Sequence, residues 1–116
     1  MSRDLRLYLE DIWESMEKIE EYLRDLTQED FFEKSSLQDA VIRRLSMIGE
    51  AARSIPEEFR QKYPDIPWKR IVGIRNIIIH EYFGVNLERI WEVAKNDLPA
   101  LKPLIARARE DLTRTQ

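Results

Sequence analysis

A single histidine, His80, occurs in the whole 116-residue chain, and an arginine, an asparagine and a tyrosine stand close to it in sequence. The run is Gly73-Ile74-Arg75-Asn76-Ile77-Ile78-Ile79-His80-Glu81-Tyr82-Phe83. If it is helical, Asn76 and His80 lie about 40° apart and one turn from each other. Asn76 can then hydrogen-bond the imidazole and fix its tautomer. Arg75 and Tyr82 line up within about 20°, whereas Arg75 stands about 140° around the axis from His80. An imidazole with an ordinary pKa near ~6.5 can act as acid or base. A guanidinium supplies fixed charge and forked donors to phosphate oxygens. Together they suit cleavage of a phosphodiester with an adjacent 2′-hydroxyl. One histidine per chain cannot supply both the base and the acid, so the chemistry calls for a two-fold dimer that brings two copies of this helix together.

Each residue also has a plainer use. A histidine near a helix C-terminus stabilises the helix dipole. Arg75 can serve as an ion-pair partner of Glu50 or Glu81, and Tyr82 and Phe83 can pack as aromatics at the helix end. Both readings stand at the level of the residues alone.

The pattern of apolar residues predicts the elements that position this run. Leu5, Tyr8, Ile12, Met16, Ile19, Leu23 and Leu26 recur every three or four residues, which predicts a long amphipathic first helix with Ser2 as its cap. Thr27-Gln28-Glu29-Asp30 reads as the cap of a short turn, and Phe31 and Phe32 should plug one end of the bundle. A second helix starts after Ser35 or Ser36 and carries Leu37, Val41, Leu45, Ile48, Ala52 and Ile55. Gly49 in its interior costs about 1 kcal/mol of propensity against alanine, which points to a close approach by a neighbour. Ser54 to Glu57 has the pattern of a capping box for a short helix that Pro64 ends. Asp65 should cap the helix that carries His80, with Pro67 in its first turn and Gly84 at its end. Asn86 should cap a fourth helix, Asp97-Leu98-Pro99 reads as a break, Pro103 as a kink, and Arg107 to Gln116 as a frayed polar tail. The expected fold is an all-α, antiparallel four-helix bundle with a short extra helix, one domain over residues 1–116.

Composition bounds the function classes. The absence of cysteine excludes disulfides and thiolate metal sites, and one histidine excludes a multi-histidine metal site within one chain. No apolar run has the length of a membrane span and no signal-peptide core is visible, so a soluble, cytoplasmic protein is expected. The net charge is −3, but it is unevenly spread: residues 1–40 sum to −7, residues 41–80 to +4 and residues 81–116 to zero. A basic middle in an acidic molecule can still hold a phosphate chain.

The run Arg75-Asn76-x-x-x-His80-x-Tyr82 resembles the Arg-x4-His-x-Tyr signature of the HepT-like toxins in the HEPN superfamily. Leu37 to Leu45, Ile48-Gly49-Glu50-Ala51-Ala52, and Trp91-Glu92-Val93 through Asp97-Leu98-Pro99 resemble other parts of that family, so the likeness covers nearly the whole chain. The resemblance implies a HEPN-like bundle and a homodimeric, metal-independent endoribonuclease toxin, needing no cofactor. In it Arg75 and His80 would correspond to the catalytic pair, with Asn76 in the supporting polar position. It also implies a nucleotidyltransferase antitoxin partner of the MntA type, which would transfer AMP onto Tyr82. The alternative is a non-catalytic helical subunit that partners a nucleotidyltransferase. The intact Arg75, Asn76, His80 and Tyr82 set favours the enzyme, because a scaffold needs none of them.

Overall fold

A computed structural model of the chain describes residues 4–82 and 86–114; the side chains of residues 79–82 lie outside that description. The described chain is helical with no strand. Its elements are α1 (Leu5–Leu23), α2 (Gln28–Glu33), α3 (Ser35–Ser54), α4 (Glu57–Arg60), α5 (Trp68–Tyr82), α6 (Leu87–Glu92), a π turn (Val93–Asp97) and α7 (Leu98–Arg114). Four long rods result: α1, α3, α5 and the continuous α6–π–α7 unit. The all-α bundle is as expected, with two short connecting helices, α2 and α4, where one was predicted.

The first cap falls on Asp4 and not on Ser2, which lies outside the described residues. The Asp4 carboxylate accepts from the Arg6 amide at 2.9 Å and is met by the Arg6 guanidinium at 2.8 Å. Both contacts hold its carboxyl below the usual range, the side-chain hydrogen bond most. α1 buries Leu9, Ile12, Met16, Ile19 and Leu23, with Leu5 and Tyr8 packed at the margin. A left-handed backbone at Asp25 (φ 61°) turns the chain after α1, a conformation that aspartate tolerates better than most residues. Thr27 and Asp30 then form a full capping box on α2: the Thr27 amide donates to Asp30 and the Asp30 amide to the Thr27 hydroxyl. Phe31 is fully buried against Trp91, ring centres 5.6 Å apart, whereas Phe32 stays exposed, so only one of the two plugs the bundle.

Ser54 does not cap α4. Its hydroxyl donates to the Glu50 carbonyl inside α3, and Pro56 takes the cap position. The end of α3 is satisfied by Arg60, which donates to the carbonyls of Ala52, Arg53 and Ile55. Before α5, Pro67 stands at the cap and not within the first turn: its carbonyl accepts from the Arg70 and Ile71 amides. Asp65 pairs with Arg107 on α7 at 3.3 Å instead of capping. Gly84, the expected terminator of α5, lies outside the described residues. Asn86 caps α6 as expected, accepting from the Arg89 amide.

Two further expectations give way at the C-terminal rod. The predicted break at Asp97-Leu98-Pro99 is a change of winding. The Leu98 amide reaches back to the Val93 carbonyl, five residues away, and the helix continues. The segment from Arg107 is docked helix up to Arg114, not a frayed tail. Ala108 is buried, and the Tyr63 hydroxyl donates to Asp111 at 3.0 Å. Burial first, then that hydrogen bond, pushes the Tyr63 phenol up. Arg109 binds Glu10 and lies over the Trp13 ring, and Lys102 reaches Glu20 at 3.0 Å. Residue 10 facing 109 while 20 faces 102 fixes α1 and α7 as antiparallel. Among the described residues no helix is long and apolar enough to cross a membrane.

Candidate active site

α5 carries every candidate residue, and its composition makes it an unlikely free helix. β-Branched residues lose side-chain freedom in a helix, so burial must hold it. Ile71, Ile74 and Ile78 supply that burial, at 0%, 5% and 8% exposure. Ile77, next to them in sequence, stays partly exposed on another side.

On one flank α5 meets α3 at Gly49. A Cβ at Gly49 would lie 3.3 Å from the Arg75 backbone nitrogen and 3.4 Å from the Arg75 Cβ. The glycine lets the two helices touch at the arginine itself, which is the close approach its place in a helix interior implied. The next residue, Glu50, places Oε1 2.9 Å from Arg75 Nε. Both side chains stay about half exposed, so the pair orients the guanidinium without sealing it from solvent. Arg75 thus has the ion-pair partner that the sequence offered as one of two.

Asn76 is exposed on the outer side of the same helix. α5 is helical through Tyr82, so the one-turn spacing of positions 76 and 80 holds in the backbone. The proposed Asn76–His80 hydrogen bond and the roles of His80 and Tyr82 fall on side chains outside the described residues. Arg75 and Asn76 are the members of the set that the structure places, on adjacent sides of one helix and both open to water.

On its other flank α5 borders the C-terminal rod across a groove of about 320 Å³. Ile77 and Leu101, above the nearly buried Ile74 and Val93, give it apolar walls; Arg70, Arg89, Asn96 and Asp97 give it polar ones. Gly73 also lines it, with open space where a side chain would stand. Sequence reasoning passed over these residues because they come from two separate helical units. No spacing rule joins Arg70 to Asn96. The signal available was indirect: the Asp97-Leu98-Pro99 irregularity marks the π turn that carries both Asn96 and Asp97.

Comparison with known proteins bears directly on this helix. The profile described as "Ribonuclease HepT-like" matches residues 12–108, which include all of α5. A Methanocaldococcus jannaschii protein named "Gamma-glutamylcyclotransferase and putative RNase" is 50% identical over the full 116 residues, and the chain spans about half (52%) of that protein's length. A Thermococcus cleftensis protein named "Probable ribonuclease HepT" is 45% identical over 102 residues, covering 88% of this chain and 93% of that one. No solved structure matches the chain.

Proposed function

This chain belongs to the ribonuclease HepT-like family, and from that premise we propose that it is an endoribonuclease that cleaves RNA without a metal at a site shared by two copies of α5. The observation that carries the reading is Arg75, ion-paired to Glu50 with Nε 2.9 Å from Oε1 and about half open to solvent. Its terminal nitrogens make no hydrogen bond among the described residues, so they can take two phosphate oxygens side by side.

The reaction is an internal transfer. One His80 imidazole, as base, takes the proton of the 2′-hydroxyl. The 2′-oxygen attacks phosphorus, the bond from phosphorus to the 5′-oxygen breaks, and an imidazolium gives that oxygen its proton. The products are a 2′,3′-cyclic phosphate and a 5′-hydroxyl. Arg75 offsets the charge that gathers on the non-bridging oxygens. Asn76 orients the imidazole. Since the chain has one histidine, the acid and the base come from two protomers, which is the reason for a homodimer.

The same reading makes the protein the toxin of a toxin–antitoxin pair. Its partner is a nucleotidyltransferase that moves AMP from ATP to the Tyr82 oxygen and releases pyrophosphate. The adduct adds a negative phosphodiester to a site built for one, which repels substrate and blocks entry.

The test is cleavage of an unstructured RNA by the purified protein in EDTA. The expected result is a 2′,3′-cyclic phosphate end and a loss of at least about a hundredfold in His80→Ala, the scale of one proton-transfer catalyst. Undiminished cleavage by His80→Ala, or cleavage abolished by EDTA, overturns the assignment.

A further inference from the structure

We propose that the groove between α5 and the α6–α7 rod is a nucleobase subsite that selects guanine beside the scissile phosphate; the link to cleavage rests on the ribonuclease reading above. Three observations carry it. The first is shape: about 320 Å³ lies at the small end of ligand pockets, room for a base and its ribose but not for a helix or a folded partner. The partly exposed side chains of Ile77 and Leu101, with Ile74 and Val93 beneath them, form walls of the kind that take a flat, weakly hydrated ring face.

The second is charge. Arg70 and Arg89 border the groove from its two sides, and neither has a carboxylate partner among the described residues. Arg6, Arg75, Arg107, Arg109 and Arg114 each hold a carboxylate, whereas Arg70 and Arg89, like Arg24, Arg43, Arg44 and Arg53, hold none among the described residues, and Arg70 and Arg89 are the two of these that border the groove. Two guanidiniums with no carboxylate among the described residues, flanking an apolar slot, match a base with a phosphate on either side.

The third is the polar end. Asn96 and Asp97 both lie in the π turn and both line the groove, and local π winding in a helix often accompanies a binding site. An ionised aspartate only accepts hydrogen bonds. Guanine offers two adjacent donors, N1–H and N2–H, to such a carboxylate, and its O6 can accept from the Asn96 amide. Uracil offers one N–H between two carbonyls, which repel a carboxylate. The groove also shares a stripe with the candidate acid–base position, since Gly73 and Ile77 stand seven and three residues before residue 80 on a helix. A base in the groove would leave its phosphate beside that stripe.

The experiment uses the full chain, isotope-labelled, titrated with 5′-GMP, AMP, CMP and UMP and followed by amide NMR. GMP should shift Gly73, Asn96, Asp97 and Ala100, and bind roughly tenfold tighter than the others, as a good bidentate base contact allows. Ala100, which is exposed at the groove, should when replaced in Ala100→Trp fill the slot and remove the shifts while leaving the fold intact. In a pooled unstructured RNA the protein should cut beside guanine, and Asp97→Asn should flatten that preference about tenfold. GMP shifts that avoid the groove, or a guanine preference that survives Ala100→Trp and Asp97→Asn, overturns the proposal. So does an Ala100→Trp protein that changes from dimer to monomer on sedimentation, because the groove would then be a contact between copies. GMP shifts in the groove without any RNA cleavage would uphold the base site and reject the ribonuclease reading.

Discussion

The two flanks of α5 are built on opposite plans. Toward α3 the helix is in contact at the backbone, with Gly49 lying against Arg75 and the arginine ion-paired to Glu50. Toward the C-terminal rod it leaves an open groove in which two arginines have no carboxylate partner among the described residues. A tight flank fixes the direction of one charged group; an open flank leaves charged groups free to meet a ligand. Positioning and recognition, on this view, occupy different sides of a single helix, and the difference can be tested by disturbing each side separately.

The largest effect should come from filling the tight flank. Gly49→Leu forces a four-carbon side chain into a contact already at 3.3 Å from the Arg75 backbone nitrogen. The atoms it meets belong to a packed helix and cannot rotate away, so the variant should lose about 3 kcal/mol of unfolding free energy in urea. A Gly49→Leu protein as stable as the original would mean that α3 and α5 are not in contact in solution, and the contrast between the flanks would fail.

Glu50 gives an intermediate effect that separates positioning from stability. The pair is half exposed, so Glu50→Ala should change stability by less than about 1 kcal/mol. RNA cleavage should nevertheless fall by roughly tenfold, because Arg75 loses the anchor that points it at phosphate. The loss should sit in kcat more than in KM, and Glu50→Asp, which keeps the carboxylate charge facing Arg75, should restore part of it. Faster cleavage by Glu50→Ala would reverse the role, making the ion pair a restraint on Arg75.

These tests also show how much of the site could be read from residue order. Periodicity was enough for the long helices, because apolar residues at every third or fourth place leave one buried face whatever the neighbours are. Gly49 was legible as a close approach because a glycine inside a helix carries a propensity cost that something must offset. The identity of its neighbour was not, since that depends on how α3 and α5 cross. Caps were legible where no other partner competed, as at Thr27–Asp30 and Asn86, and misread where the preceding helix turn or a distant residue offered one. Ser54 found the Glu50 carbonyl, and Asp65 found Arg107, 42 residues away. The tail was misread for a related reason. Its charges at Arg109 and Asp111 suggest solvent, but their partners Glu10 and Tyr63 lie far back in the chain. The groove is the extreme case, since it exists only between elements.

The smallest effect should be found on the open flank, at Ile77. This residue lines the groove and is partly exposed, whereas its neighbour Ile78 is buried at 8% and Ile71 at 0%. Truncating a fully buried aliphatic side chain to alanine costs about 2–5 kcal/mol, because the lost contacts leave a cavity that the surroundings only partly fill. At Ile77 water already reaches the side chain, so truncation enlarges an existing opening and removes few contacts. Alanine is also the better helix former, which offsets part of the loss. Ile77→Ala should therefore cost less than about 1.5 kcal/mol in urea unfolding. A cost in the range of a fully buried isoleucine would mean that the groove is closed in solution, either by the rod settling onto α5 or by a second copy covering it. The two are separable by protein concentration: only the covered groove would make the cost depend on it.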